Sequence, residues 1–303
     1  MPKTHKKPLN KQKHNKTNTF LKVKCSPANE NKLSDISCYS KNNLNQFKLL
    51  WNARHKDDEI LSNEPSKIWE SLRHRFSHVC ETEKCWMRQN FVQGYLDYDI
   101  LKYTFAPEAP KTWAKNPNEW LSNIDIISVM KHFEYYFTNF AFIGPTPIDF
   151  DKQIVGDKCV WDELCNFSLY KMIKKNKKKI GIIFNTDPHT KKGEHWVSMF
   201  IDMSAKPKPY IFYFDSAGDP IKKEIKILAD RIIEQAKKLD ITIEFNENHP
   251  KVHQKGETEC GMYSLYLIIE LLTGRKNYNF FLENSIADKS IEKFRNIYFN
   301  QLK

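Results

Sequence analysis

An apolar segment near the C-terminus, CGMYSLYLIIELLTG at residues 260–274, sets the strongest limit on how this chain folds. Large apolar side chains lie on almost every side of a helix drawn through it, so the helix must be surrounded by other elements. They are Met262, Leu265, Leu267, Ile268, Ile269, Leu271 and Leu272. Gly274 suits the C-terminal cap because glycine adopts the left-handed conformation readily. The pattern predicts a buried, rigid central helix with Cys260 in its first turn.

The composition is that of a folded globular protein. The chain has 303 residues, of which 40% are hydrophobic, and this is enough to bury a large core. Glu270 interrupts the longest apolar run, and the N-terminal region lacks the apolar stretch of a signal peptide. Seven cysteines are too few for a disulfide scaffold, and their odd number leaves at least one free thiol. These features predict an intracellular, reducing location with no membrane span.

Three regions are predicted along the chain. Residues 1–45 form a basic, disordered tail, because the first 29 residues hold eight lysines and no acidic residue. Residues 46–110 form a helical arm, and residues 111–303 form the main domain. A second basic cluster runs from Lys171 to Lys179. Both clusters fit either a solvated surface or a weak contact with nucleic acid, and they lack the interleaved aromatic residues of a single-strand platform.

The main domain is predicted to be α+β, with a mainly antiparallel sheet flanked by helices. Ser122 or Asn123 caps a helix that continues to Phe137. A second amphipathic helix is capped by Asp219, with Pro220 at its first position. Four strands are predicted, at Ile180–Phe184, His195–Met203, Tyr210–Phe214 and Ile241–Phe245.

His195 and Asp215 are predicted to meet at one end of this sheet. His195 begins the second strand, Asp215 follows the third, and the connection between the strands is short. In an antiparallel hairpin the start of one strand lies beside the end of the next. An imidazole beside a carboxylate is held in one tautomer and orientation, as a general base requires.

Cys260 has the position of an activated nucleophile. Thr258 is a natural N-cap, which places Cys260 where unpaired N–H groups and the helix dipole favour the thiolate form. Glu259 opposes this effect and must point away or be offset. Gln254, six residues earlier, can donate its side-chain amide to the oxyanion of a tetrahedral intermediate, with the Cys260 N–H as second donor. The chemistry requires no cofactor and no metal.

The motifs GEHW, FYFDSAG and QKGETECG occur in the order His, Asp, Gln, Cys. This set resembles the cysteine proteases typified by adenovirus proteinase and the ubiquitin-like (SUMO) proteases. The upstream segment EWLSNIDI and the N-terminal arm are most similar to the polyprotein-processing proteases of large cytoplasmic DNA viruses, typified by African swine fever virus. The resemblance covers roughly residues 119–275.

The resemblance implies a role for each matching residue. Cys260 matches the nucleophile, His195 the base, Asp215 the residue that orients it, and Gln254 the oxyanion donor. Trp196 matches the tryptophan that walls a narrow channel for small residues. The implied function is a thiol endopeptidase that cleaves viral capsid or core precursors after sequences such as Gly-Gly, in the host cytoplasm and the virion.

Three alternatives stay open at this point. The substrate could be a host ubiquitin-like modifier, whose tail also ends in Gly-Gly. The chain could instead be a basic nucleic-acid-binding virion protein with a vestigial triad. A zinc site could also form from His74, His78, Cys80 and Cys85, although their spacing fits no common zinc finger.

Overall fold

The structure is a computed structural model that describes residues 20–33 and 35–300. The chain divides into two compact units. The smaller contains residues 20–23 and 32–101, and the larger contains residues 24–31 and 102–300. Residues 1–19 of the predicted disordered tail lie outside the described part of the chain. Within the rest of that predicted tail, Ser26, Tyr39 and Leu44 are fully buried.

The smaller unit is helical and is built around Trp86. Its helices are α1 (Lys41–Arg54), α2 (Pro65–Phe76) and α3 (Glu83–Trp86), and α4 (Tyr98–Tyr103) begins in it. Trp86 is fully buried, and its ring contacts those of Tyr39, Phe47 and Phe76. The predicted boundary at residue 45 lies inside α1, which Ser40 caps. The division into tail, arm and protease domain stays a prediction.

The larger unit contains a five-stranded sheet in the order β1-β4-β5-β6-β7. The two central pairings, β4 with β5 and β5 with β6, are antiparallel, whereas each edge strand joins in parallel. A separate two-stranded hairpin is formed by β2 and β3. The strands are β1 (Phe140–Pro147), β2 (Gln153–Val155), β3 (Lys158–Cys159), β4 (Lys179–Asn185), β5 (Trp196–Asp202), β6 (Tyr210–Phe214) and β7 (Glu244–Glu247).

Helices cover both faces of this sheet, and a separate hydrophobic core fills each face. The helices are α5 (Asn123–Tyr136), α6 (Asp162–Cys165), α7 (Leu169–Lys174), α8 (Lys223–Lys237), α9 (Cys260–Thr273), α10 (Tyr278–Glu283), α11 (Asp288–Glu292) and α12 (Arg295–Tyr298). One core joins α5 and α9 to the sheet, and the other joins α7 and α8 to the opposite face. Every residue of α9 from Cys260 to Leu272 is buried. The predicted α+β fold class is confirmed.

Several predicted element boundaries differ from the structure. Helix α8 begins at Lys223 rather than at Pro220. In the non-helical segment before it, the Ile221 N–H donates to the Glu247 carboxylate (2.9 Å). Strand β7 begins at Glu244, three residues later than predicted. Strand β1 was not predicted at all. Its sequence, FAFIGPTP, carries two prolines, which argue against a strand in the interior of a sheet, and in the structure β1 is an edge strand.

The cysteines also differ from expectation. The structure joins Cys80 to Cys85 and Cys159 to Cys165 as disulfides, whereas reduced thiols were predicted. The bond between Cys80 and Cys85 removes two thiolates from the zinc ligand set considered above. Cys260 is a free thiol. None of the helices in the described ranges is long and apolar enough to cross a membrane.

The second basic cluster partly serves the fold. Lys177 Nζ donates to the Phe140 carbonyl (2.8 Å), and Lys179 Nζ lies 3.5 Å from an Asp202 carboxylate oxygen. These two lysines hold strand and helix ends together. A nucleic-acid contact through Lys171–Lys179 stays a prediction.

Candidate active site

His195 and Asp215 meet at the sheet end where the sequence places them. His195 immediately precedes β5 and Asp215 immediately follows β6, and these two strands are antiparallel. The Nε2 atom of His195 lies 2.7 Å from Oδ1 of Asp215. The strand ends therefore bring together two side chains that are 20 residues apart in sequence.

Asp215 is fully buried and held from several sides. Its Oδ1 also accepts the N–H of Ala217 (2.8 Å), so the carboxylate is fixed by its own turn. Asn248 accepts the Asp215 N–H (2.8 Å) and donates to the Asp215 carbonyl (2.7 Å). This two-bond bridge fixes the backbone that carries the carboxylate. Sequence analysis did not single out Asn248, because only folding brings it beside Asp215.

The surroundings of His195 favour its protonated form. Burial by itself would lower the pKa of the imidazole. Hydrogen bonds to Asp215 and to the Cys260 side chain, together with the negative charges of both groups, outweigh burial and raise this pKa to about 10. Because Nε2 is engaged by Asp215, the opposite ring nitrogen, Nδ1, is the one that can serve Cys260. The three side chains can therefore hold a thiolate beside an imidazolium.

Cys260 is the first residue of α9 and is only 2% exposed. N–H groups in the first turn of a helix have no partner within the helix, and together with the dipole they favour a negative charge there. The predicted cap at Thr258 is wrong, since the N-cap is Glu259 and no side chain caps the helix. The Glu259 carboxylate instead turns back and accepts the N–H and hydroxyl of Thr258, both at 3.0 Å. Its charge is thus directed into the preceding loop.

Gln254 lies in the loop that leads into α9. Its backbone N–H donates to the Ser216 carbonyl (2.8 Å), which ties the loop to the residue after Asp215. Its side-chain Oε1 accepts the Ser216 hydroxyl (2.7 Å), and its Nε2 donates to the Gly256 carbonyl (2.9 Å). The structure therefore connects the amide to Asp215 through a single residue, Ser216.

Trp196 lies against the start of α9. Its indole Nε1 donates to the Leu121 carbonyl (3.0 Å). A Cβ atom added at Gly261 would lie 3.2 Å from Cδ1 of Trp196 and 3.0 Å from Cβ of Leu121. The absence of a side chain at the residue after Cys260 thus lets the indole approach the helix terminus closely.

A cleft of about 600 Å³ extends from Trp196. The segment from Glu119 to Asn123, which carries the half-exposed Trp120, forms one side of the cleft. Residues that precede β5 form part of another side. Sequence analysis used Trp120 only as part of the EWLSNIDI segment and did not identify it as a cleft residue. The exposure of Trp120 is what identifies it, because a large aromatic side chain in solvent often marks a binding surface, and this exposure is known only from the structure.

We predict that Gly261→Ala disturbs the site measurably. The added methyl group would lie 3.0 Å from Cβ of Leu121 and 3.2 Å from the indole of Trp196. The indole is held by its hydrogen bond to the Leu121 carbonyl. Overpacking of this kind costs about 1–3 kcal/mol, partly offset by the better helix propensity of alanine. We expect a lower urea midpoint and roughly a tenfold fall in kcat/KM for a peptide substrate. Unchanged values of both quantities would show that the indole has room to retreat.

Comparison with known proteins relates this chain to proteases. Residues 168–303 match the Ulp1 protease family, C-terminal catalytic domain. A putative thiol protease of Acanthamoeba polyphaga mimivirus is 31% identical over 269 residues, which cover 86% of this chain and 82% of that protein. A SUMO-1 cysteine protease of African swine fever virus is 26% identical over 253 residues, covering 80% of this chain and 90% of that protein.

A crystal structure of an African swine fever virus protease has the same fold. Its TM-score is 0.63 at 22% sequence identity, with 92% of this chain and 98% of that chain covered. The match with the mimivirus protein extends over most of both sequences, and the family match contains all the residues of the His195–Asp215–Cys260 cluster. The chain belongs to the Ulp1-like family of thiol proteases and is a cysteine protease.

Proposed function

We propose that this cysteine protease is an endopeptidase that cleaves a viral polyprotein after small residues of the Gly-Gly type. Cys260 is the nucleophile, His195 is the general base and acid, and Asp215 orients and charges the imidazole. The observation that carries these assignments is the 2.7 Å hydrogen bond from His195 to a buried Asp215, and the raised pKa of His195, to which Asp215 and Cys260 both contribute, supports them.

The reaction follows the usual course of thiol catalysis. The Cys260 thiolate attacks the scissile carbonyl carbon, and the oxyanion accepts hydrogen bonds from the Gln254 amide and the Cys260 N–H. Protonated His195 gives its proton to the leaving amine, which departs as the C–N bond breaks. His195 then takes a proton from water, and the resulting hydroxide equivalent releases the acyl group from Cys260.

The preference for small residues follows from Trp196. Its indole is fixed by the Leu121 carbonyl and faces Gly261, the residue after Cys260, where a Cβ atom would lie only 3.2 Å from the ring. A peptide that reaches the thiolate must pass beside this ring, so residues without large side chains are favoured. The relatives from two large DNA viruses support a substrate made during virus assembly, with action in the infected cytoplasm and the virion.

A second candidate is the removal of a ubiquitin-like modifier. It is supported by the match to the Ulp1 family and by the SUMO-1 cysteine protease name of one relative. Both candidates use the same three residues, and they differ in what precedes the Gly-Gly sequence.

The two substrates can be compared directly. Purified protein is incubated with short Gly-Gly-Ala peptides, with matched peptides that carry valine before the scissile bond, and with ubiquitin-like fusion proteins. We expect Gly-Gly peptides to be cleaved at least about tenfold faster than the valine peptides, because one excess methylene alone can cost that much. Trp196→Ala should narrow this preference. Cleavage of the fusions at far higher kcat/KM than the peptides would favour the second candidate, and equal cleavage of valine peptides would contradict the proposed channel.

A further inference from the structure

Ser216, the residue after Asp215, contacts Gln254 in two separate ways. Its hydroxyl donates to Oε1 of Gln254 at 2.7 Å, and its carbonyl accepts the backbone N–H of Gln254 at 2.8 Å. The same carbonyl accepts the N–H of His253 at 2.9 Å. Ser216 is 1% exposed, so water does not compete for these bonds.

The hydrogen bond from the Ser216 hydroxyl sets the orientation of the Gln254 amide. A glutamine amide can turn by about 180° with little torsional cost, and its two ends differ in that one accepts and the other donates. A hydroxyl that donates to Oε1 holds the acceptor end on the Ser216 side. The donor end, Nε2, then faces away, where one of its two N–H groups bonds to the Gly256 carbonyl (2.9 Å).

The orientation matters because the two ends have opposite effects on a developing negative charge. An N–H group directed at the oxyanion stabilises it, whereas the lone pairs of Oε1 would repel it. Donors that are oriented before the reaction give the largest benefit, since no reorganisation is needed when the charge develops. His253 supports the same loop, because its imidazole is buried and bonds to the Phe281 carbonyl (3.0 Å).

We propose that Ser216 is a positioning residue that orients the Gln254 amide so that the N–H group not bonded to Gly256 can donate to the oxyanion. The proposal rests on the proposed role of Gln254. It also means that one two-residue segment, Asp215 and Ser216, serves both halves of the chemistry. Asp215 orients the imidazole, and Ser216 orients the oxyanion donor.

The decisive variant is Ser216→Ala. It removes the hydroxyl but keeps the carbonyl that holds the backbone of His253 and Gln254, so the loop stays attached. One neutral hydrogen bond contributes about 0.5–1.5 kcal/mol, so we expect kcat/KM for a Gly-Gly peptide to fall about 3- to 10-fold. The loss in kcat/KM caused by Gln254→Ala, expected to be about 10²- to 10³-fold, is the upper limit for any effect that acts through this amide.

Two further variants act as controls. Ser198→Ala also removes a buried hydroxyl, and within the described residues this hydroxyl has no hydrogen-bond partner. We expect it to retain wild-type cleavage. Ser216→Thr keeps a hydroxyl at the same position and should recover most of the activity that Ser216→Ala loses.

The alkylation rate of Cys260 by iodoacetamide separates positioning from general damage. In this reaction the thiolate displaces iodide from carbon and no oxyanion forms, so Ser216→Ala should leave the rate within about twofold of wild type. A distorted site would slow alkylation and cleavage together. Equal losses in both assays would therefore overturn the proposal.

A double-mutant cycle with Gln254→Ala completes the test. If Ser216 acts through the Gln254 amide, Ser216→Ala should add no further loss once that amide is gone. If the losses in kcat/KM of the two single variants multiply in the double variant, the positioning role is refuted. A Ser216→Ala variant as active as wild type would refute it as well. If wild type itself fails to cleave the peptides although Cys260 is alkylated, the fault lies with the proposed substrate and not with Ser216.

Discussion

Replacing Cys260 with alanine is expected to abolish cleavage of Gly-Gly peptides, with a loss of at least about 10⁴-fold in kcat. The variant removes the sulfur atom of the proposed nucleophile, and loss of a nucleophile in comparable hydrolases costs up to about 10⁶-fold. Product formation measured by mass spectrometry would test this, since it detects slow residual cleavage. Incorporation of labelled iodoacetamide at residue 260 should disappear in parallel.

Cys260→Ser is the matched control for this prediction. It keeps the size and hydrogen-bonding capacity of the side chain but replaces a readily ionised thiol with a hydroxyl that stays protonated. Far-ultraviolet circular dichroism should be the same for all three proteins, because the buried residues of α9 from Gly261 to Leu272 are unchanged. Cleavage by Cys260→Ala within tenfold of the wild-type rate would mean that another group is the nucleophile.

Asp215→Asn is expected to lower kcat/KM by about 10²- to 10⁴-fold and to move the alkaline limb of the pH profile to lower pH. An asparagine oxygen can still accept from His195 and from the Ala217 N–H, so the geometry survives. The negative charge of the Asp215 carboxylate is lost. The amide group takes the place of Oδ2, a buried oxygen with no hydrogen-bond partner among residues 20–33 and 35–300.

The sign of the pH shift follows from the His195 environment. Burial lowers the pKa of His195, but the bonds and charges of Asp215 and Cys260 raise it to about 10, so wild type retains the imidazolium across the neutral range. Removing the Asp215 charge lowers this pKa. We therefore expect wild-type kcat/KM to decline only near pH 10, and the variant to decline earlier. An alkaline limb at the same pH in both proteins would show that Asp215 does not set the charge of His195.

The relative positions of His195 and Asp215 and the start of the helix at Cys260 were predictable from sequence, because nearby residues determine them. His195 and Asp215 flank two strongly apolar strands joined by a short connection, and antiparallel pairing then leaves little freedom in where their side chains meet. Cys260 precedes a segment that is too apolar to be anything but a buried helix. Of the two caps predicted for α5, Ser122 and Asn123, the structure has Ser122, and its capping box depends only on neighbouring residues.

The incorrect predictions concern places where the folded chain supplies a competing partner, whether a neighbouring or a distant residue. Thr258 has good capping chemistry, but the Glu259 carboxylate takes both its N–H and its hydroxyl. Pro220 suits a helix start, yet α8 begins only at Lys223, and the Ile221 N–H before it donates to Glu247 on another segment of the chain. The Cys159–Cys165 bond depends on a loop geometry that cysteine spacing alone does not specify.

The sequence by itself determined the fold class, the buried helix and the identity of the His195, Asp215 and Cys260 cluster, because these depend on periodicity and on the order of strands. Only the tertiary structure decided how the cluster is supported. Asn248 reaches Asp215 across 33 residues, and Ser216 reaches Gln254 across 38. Such contacts are chosen by packing, since many polar residues in the chain could make the same bonds and only the folded loops select which of them do.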